Sequence, residues 1–149
     1  MIIGKDTIYN PAYEEEYGIP GIIIWDVIPL TEERATVIVR FLSTNSDDIQ
    51  GARVAVQYGD GFVEKDGVKE KSVYLWEESN EEEYRLNVLS KEKRISFYNV
   101  IRRNGVMRSG LGYFGMIVKS EGNKRTYCCE HKKGDCAFDK AVIEVTIEY

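Results

Sequence analysis

All three cysteines of the 149-residue chain and its single histidine fall within residues 128–136, as Cys128-Cys129-Glu130-His131 followed by Cys136. Thiolate and imidazole are the ligands of structural zinc, and four of them make one tetrahedral set. The spacing works against that use. Neighbouring residues on an extended chain point to opposite sides, so Cys128 and Cys129 reach one ion only across a kink. Zinc motifs separate their cysteines by two or more residues. A disulfide from Cys128 or Cys129 to Cys136 is easy if the chain doubles back between them. Free thiols packed as small hydrophobes are the next reading. The expectation therefore runs disulfide first, free thiols second and metal last, with Cys128, Cys129, His131 and Cys136 as the ligands in the third case.

Other chemistry finds little support. His131 is the only imidazole base, set among lysines with Glu130 and Asp135 as its nearest possible orienting groups. No glycine-rich phosphate loop leads into a helix. The acidic hairpin segment 60–67 lacks the alternating oxygen ligands of a calcium loop. The expectation is a non-enzyme without a cofactor.

The elements that must position these residues read as strands. Apolar and polar residues alternate with period two over 36–42, 53–58, 72–76, 84–89, 94–102, 111–118 and 141–149, and 22–28 is almost wholly apolar. Asp66-Gly67, Asn104-Gly105 and Gly122-Asn123 are turn pairs, Asn104-Gly105 being the strongest hairpin signal. Helix is confined to a turn or two at 11–17, before Gly18 and Pro20, and to a turn at 135–140. The expected fold class is all-β: a two-sheet antiparallel immunoglobulin-like sandwich of about eight strands. It forms one domain over 1–149, with 1–21 as an N-terminal extension packed on it.

Net charge is −5, divided as −11 over residues 1–83 and +6 over 84–149. Such asymmetry fits head-to-tail self-association, although strands from both halves interleave in a sandwich. The basic residues between Arg94 and Lys133 are not accompanied by paired aromatic strand motifs, which argues against nucleic acid. No apolar run approaches the ~20 residues of a membrane span, and the N-terminus lacks a basic start with an apolar stretch. A cytoplasmic protein without membrane contact is expected.

The segments 35–40, Tyr58-Gly59-Asp60, Trp76, Tyr84-Arg85-Leu86 and Phe97-Tyr98 occur in an order that resembles immunoglobulin-like domains of fibronectin III type. They are more similar still to the sandwich domain that precedes the catalytic barrel of neopullulanase-type starch hydrolases. The resemblance covers residues 35–118 and leaves 125–149 outside it. It implies a glycan-binding role with Trp76 and Tyr98 as the stacking rings. Tyr113 joins them as an aromatic on a strand with one solvated face. Aromatic residues also close the ends of sandwiches, so packing is the competing reading of all three. An oligosaccharide is the expected partner, and a partner protein or a homo-oligomer is the alternative.

Overall fold

The computed structural model describes residues 6–79, 81–110 and 112–149. Thirteen strands and one seven-residue helix appear among them. The chain is all-β, as its alternation requires, but with more strands than the eight expected. In chain order these are β1 (Ile8–Tyr9), β2 (Ile23–Pro29), β3 (Arg34–Thr44), β4 (Ile49–Ala55), β5 (Gly61–Lys65), β6 (Val68–Glu70) and β7 (Ser72–Trp76). There follow β8 (Tyr84–Ser90), β9 (Arg94–Arg103), β10 (Val106–Ser109), β11 (Gly115–Glu121), β12 (Lys124–Glu130) and β13 (Ala141–Glu148). The five beyond expectation are β1, β5, β6, β10 and β12. Each is two to four residues long or rich in charge, so its apolar alternation is too short or too interrupted to register. The strand expected from residue 111 begins at Gly115, and Leu111 itself lies outside the described residues.

Turn chemistry explains most of the extra strands. At Asp66-Gly67 and Asn104-Gly105 both residues take positive φ (52° and 81°; 52° and 76°), which joins β5 to β6 and β9 to β10 by two-residue hairpins. Such turns match the right-handed twist of the flanking strands.

All pairings are antiparallel, in the order β6-β5-β8-β3-β13-β12-β11-β2-β9-β4-β7, with β1 on β2 and β10 on β9. The two ends of this order, β6 and β7, follow one another in sequence. A single residue, Lys71, separates them, and its carbonyl accepts the Val56 N–H at 2.9 Å, extending the β4–β7 ladder to that corner. The sheet thus rolls into a nearly closed barrel. Among its paired seams the loosest is between β2 and β11, joined through the single pair Met116↔Ile23.

One core fills the barrel. Val37, Val39, Ala52, Val54, Leu75, Leu86, Ile95, Phe97, Tyr127, Ile143 and Val145 are buried from seven strands. Each of the valine, leucine, isoleucine and phenylalanine side chains among them stabilises by about 1.5–3 kcal/mol when removed from water. A smaller cluster of Tyr13, Ile22 and Phe138 seats the helix α1 (Pro11–Tyr17). Asn10 caps α1 by accepting from the Ala12 N–H, and its amide donates to the carbonyls of Gly112 and Phe114. That ties the described part of the N-terminal segment to the entry of β11; residues 1–5 lie outside the described residues. The turn expected at 135–140 is not helical. The Lys140 N–H donates back to the Cys129 carbonyl at 3.1 Å, closing residues 130–140 as an irregular loop between β12 and β13. No helix among the described residues is long and apolar enough to cross a membrane.

Candidate functional site

Strand register assembles the first candidate. On β4, Ala52 and Val54 face the core, so Gly51 and Arg53 face outward. Tyr74 of β7 stands opposite Arg53, and Arg53 stands opposite Tyr98 of β9. The next strand, β2, pairs Asp26 with Phe97 on the inner face, which brings Trp25 beside Tyr98 on the outer one. Their ring centroids lie 5.2 Å apart at 34°. Ile8 of β1 ends the row opposite Trp25. The Arg53 guanidinium carbon sits 5.8 Å from the Trp25 ring and 5.4 Å from the Tyr98 ring, within cation–π range. Four strands thus lay Tyr74, Arg53, Tyr98 and Trp25 side by side.

A second row runs beside it. Trp76 stands opposite Gly51, and Gly51 opposite Val100. A Cβ on Gly51 would come within 2.5 Å of the Trp76 ring, so the bare glycine is what lets the indole lie flat across the sheet. Arg102 covers the other side at 4.8 Å and is paired with Glu78. Trp25, Trp76 and Tyr98 are half-buried, and Tyr74 is 38% exposed. Burial pushes the Tyr98 phenol above its ordinary value, with the Arg53 charge acting the other way.

The structure thus brings Trp76 and Tyr98 to one face. Tyr113 is elsewhere. It packs against Tyr13 and Tyr17 of the α1 cluster, with Lys133 over its ring at 5.7 Å. Its hydroxyl is pushed up to about 12, first by its hydrogen bond with Glu16 and then by desolvation. Trp25 is the member of the face that the sequence did not single out, whereas Tyr74 alternates with the core-facing Val73 and Leu75 and reads as outward from the sequence. Trp25 sits inside an apolar run that reads as core, and only the register of β2 on β9 turns it outward.

The cysteine and histidine residues occupy the second candidate, at one end of the barrel. They do not converge. Cys129 is buried in the main core with its thiol against the Tyr127 carbonyl, and burial raises its pKa well above the ordinary value. Cys128, next in chain, points into the α1 cluster, and Cys136 is exposed; all three are free. Among the described residues, the acidic, thiol and imidazole groups close enough to share an ion are Glu130, Asp135 and Asp139. The Lys140 ammonium already stands among them, donating to Glu130 at 3.2 Å, Asp135 at 2.6 Å and Asp139 at 3.1 Å. Burial opposes that charge, but the three carboxylates outweigh it and hold Lys140 above the usual lysine range. The other oxygen of Glu130 accepts the N–H groups of His131 and Lys132. The cluster is a closed ion network with its own cation in place.

His131 turns the other way, towards the β3–β4 loop. Its Nε2 lies 3.2 Å from the Gln50 amide nitrogen and 3.4 Å from Ser46 Oγ, and its Nδ1 4.0 Å from Asp48 Oδ2. Gln50 donates, so Nε2 accepts and the ring proton sits on Nδ1. Burial lowers the His131 pKa; Asp48 opposes this, while Arg103, Lys140 and Lys132 add to it. Ser46, His131 and Asp48 thus lie in the order of a nucleophile relay, but the relay is not closed: Nδ1 has no hydrogen-bond partner among the described residues, and Asp48 stands 4.0 Å from it. Ser46 Oγ accepts the Asp48 N–H, and Asp48 is held by two hydrogen bonds from Arg103 that keep its carboxyl below the usual range. A cavity of about 840 Å³, lined by Ser46, Asp48, Arg103, His131 and Lys132, opens there.

The charge asymmetry of the sequence is partly cancelled within the fold. Arg94, Arg102, Arg103 and Arg125 of the basic half pair with Asp6, Glu78, Asp48 and Asp26 of the acidic half. Arg125, Tyr127 and Thr7 together satisfy the fully buried Asp26.

Compared with protein families, with curated proteins and with solved structures, the chain finds no match.

Proposed function

We propose that the domain is a non-catalytic module that binds an oligosaccharide along the outward face of β7, β4, β9 and β2. The observation that carries this reading is the in-register row of Tyr74, Arg53, Tyr98 and Trp25, flanked by Trp76. Flat rings offer sugars an apolar stacking surface, and the interleaved guanidinium supplies donors for hydroxyls. Adjacent strands stand about 4.8 Å apart, so the row spans roughly 14 Å, room for a short saccharide laid across the strands. The resemblance to starch-hydrolase sandwich domains supports the same ligand class and two of the same rings. An immunoglobulin-like sandwich is the finer proposal for the architecture, with β2-β9-β4-β7 as one layer and the strands from β11 to β6 as the other. A partner protein or a second copy is the weaker reading, because four arginines of the basic half already have partners within the chain. Three free thiols fit a cytoplasmic setting.

Titration with maltodextrins and a panel of other oligosaccharides, followed by tryptophan fluorescence and calorimetry, tests the proposal. Saturable binding is expected, weakened tenfold or more by Trp76→Ala or Tyr98→Ala when measured on the folded fraction. A panel that gives neither heat nor a spectral change would remove it.

A further inference from the structure

The row ends in a notch of about 250 Å³ between β1, β2 and β10, lined by Ile8, Ile24, Trp25, Tyr98, Ser109 and Gly110. Among the described residues, no ionised side chain lines it. Its walls are two isoleucines, two aromatic rings, one hydroxyl and a glycine. The indole Nε1 of Trp25 is buried and has no hydrogen-bond partner among the described residues. Indole nitrogen is a donor only, and a buried donor without an acceptor is destabilising until a ligand supplies one. The parts of the wall best able to give way are those with least holding them. Ile8 is 51% exposed on a strand of two residues, and Gly110 carries no side chain.

We infer that this notch takes the acetamido group of an N-acetylated amino sugar, its methyl against Ile8 and Ile24 and its carbonyl oxygen accepting the Trp25 indole N–H. The inference rests on the glycan reading of the aromatic face and names the sugar class that face selects. The chemistry is specific to the acetylated group. A plain hydroxyl brings no methyl for the isoleucines. A free amine would bring a positive charge to an apolar wall with no carboxylate to meet it, and an isolated buried charge is strongly disfavoured. An amide carbonyl is neutral and a good acceptor, and its methyl buries apolar surface. The neighbouring rings of Tyr98 and Trp25 continue into the row, so the sugar ring that carries the group would stack where the row begins.

Calorimetry with four tetrasaccharides tests this on the full chain: β-1,4-linked N-acetylglucosamine, its deacetylated glucosamine form, cellotetraose and maltotetraose. The N-acetylated tetramer is expected to bind at least tenfold tighter than cellotetraose, which shares its linkage, and than the deacetylated form. Trp25→Phe keeps a ring and removes the N–H; it should erase most of that preference, read as the ratio of the two affinities in the same variant, so that any stacking loss common to both ligands cancels. Ile8→Ser, at an exposed edge position, should reduce the preference without removing it. In NMR spectra the indole N–H resonance absent from Trp25→Phe should move downfield with the acetylated ligand only. Equal affinity for acetylated and plain tetramers, or a preference that survives Trp25→Phe, overturns the inference and leaves the glycan face standing. Failure of all four tetramers to bind overturns both.

Discussion

The barrel end at residues 128–140 and the outward face of β7, β4, β9 and β2 are opposites in how they use polar and aromatic groups. At the barrel end, reactive side chains are crowded in sequence and, apart from the buried Nδ1 of His131, satisfied in space. Glu130 accepts from two backbone N–H groups and one ammonium, Lys140 donates to three carboxylates, and Cys129 is sealed in the core. On the face, the side chains are scattered between Trp25 and Arg102 in sequence, yet registered strands place them in two adjacent rows with their rings half-open. Closely spaced reactive residues therefore serve stability here, whereas the proposed binding surface is drawn from distant strands. Groups that hold each other leave no valence for a ligand; flat rings beside water do.

The sharpest way to break this contrast is to remove the cation from the barrel end. Lys140→Met leaves the fully buried Glu130 without its counter-charge, and breaking a buried pair in this way costs about 3–5 kcal/mol. Chemical denaturation should show that loss, with glycan affinity unchanged in the folded fraction. A near-neutral Lys140→Met would mean that the network is not structural. A smaller effect is expected from Gly51→Ala, whose Cβ would sit 2.5 Å from the Trp76 ring and 2.7 Å from the Leu75 carbonyl. Overpacking of this kind costs about 1–3 kcal/mol. It should also shift tryptophan emission and weaken saccharide binding, linking the two rows; an unchanged spectrum would separate them.

The smallest effect is the response to pH. The His131 pKa is lowered in the fold, so between that value and the unfolded one of about 6.5 the unfolded chain binds the extra proton. Stability should therefore fall as pH drops below about 6.5. The Asp48, Asp135 and Asp139 carboxyls, all held low, lose their contribution only at more acid pH, as it falls below their unfolded values. His131→Gln should flatten the upper part of the profile and leave the acid part intact. Melting curves from pH 7.5 to 3 would show whether the two steps separate.

Much of this was legible in the sequence where alternation was long. Val54 against Arg53, Phe97 against Tyr98 and Leu75 against Trp76 divide between core and surface as their order dictates. The opposite orientation of Cys128 and Cys129 follows from the same rule. What stayed hidden depends on distance along the chain. That Arg53 lies between Tyr74 and Tyr98 is a fact of register among three strands, and register is fixed by the whole barrel. Trp25 was masked by its apolar neighbours Ile22, Ile23 and Ile24. Lys140 was one lysine beside one aspartate until the loop closed it onto Glu130. The sheet itself rolls further than two short layers suggest, because charged strands such as β5 and β12 pair as well as apolar ones do.

Amide chemical-shift mapping during an oligosaccharide titration tests the contrast between the two regions most directly. The expected perturbations cluster on Trp25, Gly51, Arg53, Tyr74, Trp76 and Tyr98, while residues 44–48 and 130–140 stay still. Shifts confined to His131, Ser46 and Asp48, with the aromatic rows silent, would contradict the account.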